Sequence, residues 1–104
     1  MRGDVYRFRP NDLRGHKQSG ARYAVIVQSD DLMLSTALVA PTSTRARPTI
    51  FRPAIDLAGQ ETRVLVEQTT VVDPQTDLGD FAGRLTTGEL ADLDRALRLV
   101  FGLF

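Results

Sequence analysis

The spacing of apolar residues changes once along this chain, and that change limits the fold more than any other feature. Before residue 86, short apolar and β-branched runs are separated by turn-forming residues, as in strands. Behind a Thr-x-x-Glu capping box from Thr86 to Glu89, apolar residues recur at helical spacing up to Phe101. The sequence therefore predicts a mainly β domain, a small antiparallel barrel, followed by one C-terminal helix that ends near Gly102.

Several segments carry the strand pattern. The predicted strands are residues 3–9, 22–28, 36–42, 50–57, 64–66 and 69–72, with a short strand or 3₁₀ turn at 81–85. Pro53 removes one ladder donor, so its strand is expected at an edge or a bulge. Two polar segments, residues 10–21 and 43–49, are predicted to be exposed loops, where binding residues often lie.

Length and composition indicate one domain over residues 1–104. The chain has no cysteine, which excludes disulfides and thiolate metal sites. Charged residues among the first ten do not fit a signal peptide, and no apolar run approaches a membrane span. A soluble, cytoplasmic protein is expected.

Charge is distributed unevenly along the neutral chain. Residues 1–52 contain nine basic and four acidic side chains, a net charge of +5, whereas residues 53–104 contain four basic and nine acidic ones, a net charge of −5. This asymmetry is consistent with a positive surface that binds phosphates, and equally with a mixed, solvated surface.

The residue types present favour chemistry that needs few specialised groups. His16 is the only histidine, which argues against a zinc enzyme, and no nucleophile elbow, P-loop or dinucleotide motif is present. RNA cleavage meets this condition because the ribose 2′-hydroxyl is an internal nucleophile. The protein then has to orient the strand, transfer two protons and stabilise the developing charge, a task for which arginine is well suited.

Five segments, in order and at similar spacing, resemble toxins of the MazF/PemK family. They are residues 3–6, 18–30, 39–44, 64–73 and 83–86, the last followed by the helix. The resemblance implies an SH3-like barrel of the CcdB/MazF type, a homodimer with an RNA groove, no cofactor, and a MazE-like antitoxin with an acidic, partly disordered tail. It also implies sequence-selective, metal-independent cleavage of single-stranded RNA or mRNA to 2′,3′-cyclic phosphate and 5′-hydroxyl ends.

The resemblance further implies a catalytic pair. The family's arginine matches Arg22, and its Thr/Ser after the third strand matches Ser43, with Thr42 as the one-residue alternative. Arg22 would stabilise the phosphate and donate a proton, and Ser43 would hydrogen-bond a phosphate oxygen. Plain structural roles stay open: a strand-end salt bridge for Arg22, and local backbone bonds for the hydroxyls.

Two departures from the family pattern concern the loop and the strand that follows it. Lys17 stands where many members have a glutamate proposed as the base, and Tyr23 replaces the usual proline. His16 is either the base or a solvated loop residue. The predicted RNA contacts, for which surface solubility is the alternative role, are Arg14, Lys17, Gln18, Thr44, Arg45, Arg47 and Gln68.

Two other functions remain open from the sequence. A CcdB-like toxin would bind a protein target such as gyrase without cleaving RNA, and would not require Arg22 and Ser43. An inactive relative would bind only an antitoxin. In each case the apolar stripe of the C-terminal helix is expected to form core or dimer contacts.

Overall fold

The computed structural model describes residues 1–9 and 22–103, which form seven strands and two α-helices. The strands are β1 Asp4–Phe8, β2 Tyr23–Ile26, β3 Ala37–Ser43, β4 Ala54–Leu57, β5 Gln60–Val64, β6 Thr70–Val72 and β7 Leu78–Arg84. The helices are α1 Pro74–Asp77 and α2 Thr87–Phe101, and a 3₁₀ turn, the Gln68 turn, covers Val66–Gln68. The predicted loop at 10–21 lies outside the described residues.

All the strand pairings between these elements are antiparallel, in the order β4-β5-β3-β2-β1-β7, with β6 also paired to β3. β3 lies at the junction: its first residues pair with β6, and Thr42 and Ser43 pair with β5. The antiparallel barrel predicted from the sequence is therefore present as a strongly curved sheet.

The two sides of this sheet differ in what covers them. On one side, the helix face, Val25 and Ala40 belong to a buried cluster that includes Leu93 of α2. On the other side, Ala24, Ile26 and Val39 belong to a smaller cluster with Val72 and Leu78. Strand alternation separates the two sets, because successive side chains point to opposite faces. We call this second side the arginine face, since the same alternation places Arg22 on it.

The C-terminal helix is confirmed with both predicted ends. The Thr86 hydroxyl accepts a hydrogen bond from the Glu89 amide at 3.1 Å, and the Glu89 carboxylate accepts one from the Thr86 amide at 2.9 Å. Gly102 ends the helix with φ of 69°, a left-handed conformation that costs glycine little. Leu93 and Ala96 are buried against the sheet.

The predicted strands at 50–57, 64–66 and 81–85 differ most from the observed ones, and the last of these begins earlier, at Leu78. The predicted strand 50–57 begins only at Ala54, because the Arg52 amide bonds back to the Thr49 carbonyl at 3.1 Å and forms a turn before Pro53. The predicted strand 64–66 is wrong beyond Val64, where β5 ends and the Gln68 turn follows. Apolar residues alone do not distinguish a buried 3₁₀ turn from a buried strand.

A buried carboxylate connects the first strand to the last. Asp4, 4% exposed, accepts a hydrogen bond from the Arg84 Nε at 2.7 Å and lies 3.3 Å from the Met1 ammonium. Burial alone would raise the pKa of Asp4, but the Arg84 hydrogen bond and the ammonium outweigh it, so the pKa lies below the usual value. The ion pair therefore favours the folded state when Asp4 is ionised.

No helix in the described part of the chain is long and apolar enough to cross a membrane.

Candidate functional site

Arg22 lies at the entrance to β2. The Phe8 amide donates a hydrogen bond to the Arg22 carbonyl at 2.8 Å, which extends the β1–β2 ladder by one residue and fixes the Arg22 backbone. The side chain is half-buried. Within residues 1–9 and 22–103, no carboxylate lies at ion-pair distance from its guanidinium. In this part of the chain, the strand-end salt bridge that was the alternative role for Arg22 is not formed.

The register between β2 and β3 brings Arg22 to Ser43. Ala24 pairs with Pro41, and Val25 with Ala40, so the same register continued by two residues from Ala24 places Arg22 opposite Ser43. Opposite residues of an antiparallel pair project to the same face with Cβ atoms about 5 Å apart. The two predicted catalytic residues thus come together at one end of the arginine face.

Thr42 and Ser43 have different environments although they are adjacent. Thr42 is 6% exposed, and its hydroxyl donates a 3.0 Å hydrogen bond to the Tyr23 carbonyl, which ties β3 to β2. Ser43 is half-buried, and its hydroxyl oxygen accepts a hydrogen bond from the Arg45 amide at 3.1 Å. The Ser43 hydroxyl proton is therefore available to a ligand, whereas that of Thr42 is engaged with the backbone.

The segment after β3 presents the predicted basic residues. Thr44, Arg45 and Arg47 are all exposed in a series of bends that begins at Ser43. Among the described residues, no carboxylate pairs with Arg45 or Arg47. Two exposed guanidinium groups thus lie in the segment that follows the end of β3.

The Gln68 turn lies beside the middle of β3, between β5 and β6. The Leu65 amide donates to the Pro41 carbonyl at 2.8 Å where the turn begins, and Thr70 pairs with Val39 after it. Gln68 is exposed, and its amide is bonded to the Leu65 carbonyl at 2.9 Å. Of the RNA contacts predicted from the sequence, Thr44, Arg45 and Arg47 directly follow Ser43, whereas Gln68 lies beside residues 39–41 of β3.

An ion pair next to Gln68 was not predicted from the sequence. Arg52 donates from Nε and Nη2 to one oxygen of Glu67, at 2.9 and 2.5 Å. The hydrogen bond from Arg52 lowers the pKa of Glu67, and the same bond raises the pKa of Arg52. The sequence contains a signal only in the charges of these residues, because fifteen positions separate them and the β4–β5 pairing brings them together.

Aromatic residues on the arginine face are a second feature that the sequence analysis did not assign to the site. Phe8 lies directly across the ladder from Arg22, and Tyr6 lies across from Ala24. The Tyr6 ring meets Phe81 edge to face, with centroids 5.7 Å apart. Tyr6 and Phe8 are two residues apart in β1 and therefore point to the same face. The sequence would have assigned them to the face of Arg22 only if the β1–β2 register had been known.

A recess of about 370 Å³ opens on the arginine face, at the opposite end of β2 from Arg22. Its lining includes Tyr6, Ile26, Leu78 and the segment after β2. Four residues of extended strand, about 13 Å, separate Ile26 from Arg22. The Arg22–Ser43 pair therefore lies outside this recess.

Four predicted site residues, Arg14, His16, Lys17 and Gln18, lie outside the described residues. Within the described ranges, no group of three or more histidine, aspartate or glutamate side chains is arranged to hold a metal ion.

Comparison with known proteins identifies the family. The sequence model of the "PemK-like, MazF-like toxin of type II toxin-antitoxin system" matches residues 1–101. The chain therefore belongs to the PemK/MazF family of toxins. A Mycobacterium tuberculosis protein named "Putative toxin Rv3098A" is 38% identical over 104 residues, covering 99% of this chain and 98% of the relative.

Solved structures confirm the fold. The chain is similar to the "Mycobacterium tuberculosis toxin MazF-mt6", with a TM-score of 0.79 at 21% identity, over 97% of this chain and 98% of that one. A mycobacterial endoribonuclease in complex with its cognate antitoxin matches with a TM-score of 0.77 at 21% identity, over 100% and 96%. MazF from Deinococcus radiodurans matches with a TM-score of 0.79 at 18% identity, over 98% and 96%. The predicted mainly β, MazF-type fold with a C-terminal helix is confirmed.

Proposed function

We propose that this chain is a metal-independent endoribonuclease that cuts single-stranded RNA in the cytoplasm at selected sequences. The observation that supports the proposal is the β2–β3 register, which pairs Ala24 with Pro41 and, continued by two residues, leads from Arg22 to Ser43 on one face of the sheet. Two exposed arginines follow Ser43 in the chain, and an exposed glutamine lies in the turn beside the middle of β3. Support also comes from the fold shared with a mycobacterial protein described as an endoribonuclease.

The proposed reaction uses the substrate's own nucleophile. The 2′-oxygen attacks the adjacent phosphorus while the bond from phosphorus to the 5′-oxygen breaks, leaving a 2′,3′-cyclic phosphate and a 5′-hydroxyl. A base takes the 2′ proton, and the departing 5′-oxygen receives one. Arg22 donates hydrogen bonds to the phosphate oxygens as negative charge develops, and is placed to protonate the leaving oxygen. The Ser43 hydroxyl donates to a phosphate oxygen, and His16 is the candidate base.

Arg22 is the residue on which the assignment depends. In buffer containing EDTA, the purified protein should cut a long RNA at discrete sites, and Arg22→Ala should lower kcat/KM by about 100-fold or more, the loss seen when one donor to a developing oxyanion is removed. Arg22→Lys should recover only part of the rate, because a lysine does not grip phosphate bidentately.

Arg98→Ala is the matched control. Arg98 is an exposed arginine on α2 and contributes the same charge. It should cut like wild type. Equal cleavage by wild type and Arg22→Ala would disprove the catalytic assignment. Absence of cleavage together with inhibition of DNA gyrase supercoiling would instead favour the CcdB-like function.

We propose that the active form is a homodimer neutralised by an antitoxin. Leu99, Phe101 and Leu103 at the end of α2 are 39, 58 and 63% exposed, more apolar surface than a helix end normally leaves in water. The structure of a related endoribonuclease with its cognate antitoxin supports the second partner. Sedimentation at micromolar concentration should give a dimer mass; a monomer mass would contradict this part of the proposal.

A further inference from the structure

The Arg52–Glu67 ion pair joins the turn before β4 to the turn after β5, at the open end of the β4–β5 hairpin. Arg52 ends the turn that follows the segment with Arg45 and Arg47, and Glu67 is the central residue of the Gln68 turn. The side chains are 23 and 27% exposed, so the pair is partly shielded from water. Both hydrogen bonds from the guanidinium end on the same carboxylate oxygen, at 2.9 and 2.5 Å.

Arg52 is itself held from three directions. Its amide donates to the Thr49 carbonyl at 3.1 Å, and its carbonyl accepts a hydrogen bond from Arg63 of β5 at 3.0 Å. The guanidinium lies over the Phe51 ring, 5.6 Å from the centroid. The position of Arg52 is therefore set by the sheet, and the ion pair transmits that position to Glu67.

The Gln68 turn has few other attachments on this side. Its hydrogen bonds run mainly within the turn, from Gln68 to Leu65 and from the Thr69 amide and hydroxyl to Val66, at 2.9, 3.2 and 2.7 Å. Among the described residues, the Arg52–Glu67 pair is the side-chain link between this turn and the Thr49–Arg52 turn. Val66 is fully buried and the Leu65 amide is bonded to Pro41, so loss of the pair would loosen the exposed residues Glu67 and Gln68 while the start of the turn stays in place.

We propose that Arg52 and Glu67 are positioning residues: by fixing the exposed end of the Gln68 turn against the turn that precedes β4, they set the site's choice of RNA sequence without touching the reacting atoms. The proposal rests on the ribonuclease function above and deepens it. A glutamine reads a base edge through a paired donor and acceptor, and such reading depends on placement. The pair would therefore affect the choice of cleavage site more than the overall affinity for RNA.

A purely electrostatic role makes the opposite prediction for the two partners. Glu67→Ala removes a negative charge beside the site and should tighten RNA binding, whereas Arg52→Ala removes a positive charge and should weaken it. A positioning role predicts that the two substitutions change the cut-site distribution in the same way, whatever their effects on KM. The direction of change thus separates the two explanations.

The experiment sequences the 5′ ends produced from one long RNA by wild type, Arg52→Ala, Glu67→Ala, the double variant and Glu67→Gln. Both single variants should spread cleavage over additional sites and lower kcat/KM at the preferred site by roughly tenfold, on the scale expected when positioning is partly lost. The double variant should match the single ones, because the residues act as a unit. Glu67→Gln keeps an acceptor for Arg52 and should recover most of the selectivity.

Glu61→Ala is the matched control. It breaks another arginine–glutamate pair, with Arg63 two residues along the same strand, where the partners are 3.4 Å apart and Glu61 is 73% exposed on its side chain. It should leave the cut-site distribution unchanged. Opposite shifts for Arg52→Ala and Glu67→Ala, or wild-type distributions for both, would overturn the proposal.

A measurement without RNA keeps this inference separate from the ribonuclease proposal. Amide hydrogen exchange at Gln68 and Thr69 reports the turn directly, since both amides are bonded within it. Exchange should accelerate in Arg52→Ala and Glu67→Ala and stay unchanged in Glu61→Ala. If wild type cuts RNA but exchange at these amides is the same in the variants as in wild type, only the positioning inference fails. If wild type does not cut RNA, the proposed function fails, and faster exchange in the variants still reports the structural link.

Discussion

The helix face and the arginine face are two sides of the same strands, yet they serve different purposes. Residues of the helix face alternate with those of the arginine face along β2, so Val25 enters the cluster under α2 while Ala24 and Ile26 enter the smaller one. The helix face carries the larger buried apolar cluster, which includes Leu93 of α2. The arginine face ends in polar groups, Arg22 and Ser43, where the strands leave the sheet.

The difference teaches where stability and activity should separate. A side chain on the helix face is surrounded by protein, so its loss leaves a cavity. A side chain at the end of the arginine face is partly in water, so its loss removes a possible ligand contact and little packing. Four predictions test this separation, and each would weaken the comparison if it failed.

Leu93→Ala should give the largest loss of stability. Leu93 is fully buried, with 0% exposure, between α2 and the sheet, and truncation of such a residue costs about 2–5 kcal/mol. Urea unfolding followed by circular dichroism measures the loss. Arg98→Ala, at an exposed position of the same helix, should change the free energy of unfolding far less. Equal losses of free energy of unfolding in the two variants would show that the packing of Leu93 against the sheet does not stabilise the fold.

Ser43→Ala and Thr42→Val should separate activity from stability at adjacent positions. Ser43→Ala should lower RNA cleavage on the order of 10–100-fold with an unchanged unfolding midpoint, because it removes a donor to the phosphate. Thr42→Val should lower the free energy of unfolding by about 1–2 kcal/mol, because the Tyr23 carbonyl loses its 3.0 Å partner. Cleavage rates and urea midpoints of both variants check this; the reverse result would move the catalytic hydroxyl to Thr42.

Thr86→Ala, at the start of the helix that covers the helix face, should lower the free energy of unfolding by about 1 kcal/mol, the typical contribution of an N-cap hydroxyl. It removes the acceptor for the Glu89 amide and half of the capping box. Thr87→Ala, one residue into the helix and exposed, is the control and should be close to neutral. A thermal melt is sufficient to measure the difference. RNA cleavage by Thr86→Ala should be unchanged at temperatures where the variant is folded.

Acid should produce the smallest effect, through Asp4 and Glu67. Both carboxyls have a pKa below the ordinary values of 3.8 and 4.5 in the folded protein. The ion pairs therefore contribute stability above those values, and the contribution is lost as the pH falls below them through the lower folded pKa. The effect is small because Arg84, the partner of Asp4, is 59% exposed on its side chain. Between pH 6 and 3, the urea midpoint should fall less in Asp4→Asn than in wild type. If the midpoint of Asp4→Asn depended on pH as strongly as that of wild type, Asp4 would not contribute to the acid effect.

Local features were the most predictable from sequence. The capping box, the helix up to Phe101 and the glycine that ends it depend on neighbours within four residues, and all three are confirmed. The turn between β4 and β5 was likewise predicted, and it uses positive φ at Ala58 and Gly59, of 53° and 83°. The strand boundaries at 50–57 and 64–66 were less predictable, because a turn before Pro53 and a 3₁₀ turn depend on hydrogen bonds to distant strands.

The candidate site was predictable only as a set of residue types. Arg22, Ser43 and Gln68 were selected through the family resemblance, and their roles remain predictions. The sequence did not reveal that the Thr42 hydroxyl is engaged with Tyr23, or that Arg52 reaches Glu67. Both facts depend on which strands are neighbours, and that is a property of the whole sheet.

The sequence by itself determined the mainly β architecture, the terminal helix and its ends, and membership of the toxin family, because periodicity, capping and motif order are written in neighbouring residues. Only the tertiary structure decided which face each residue occupies, which hydroxyl is available, and which charges meet. Those outcomes require β2, β3 and the Gln68 turn to be paired in one register, and a shift of a single residue would move Arg22 to the other face of the sheet.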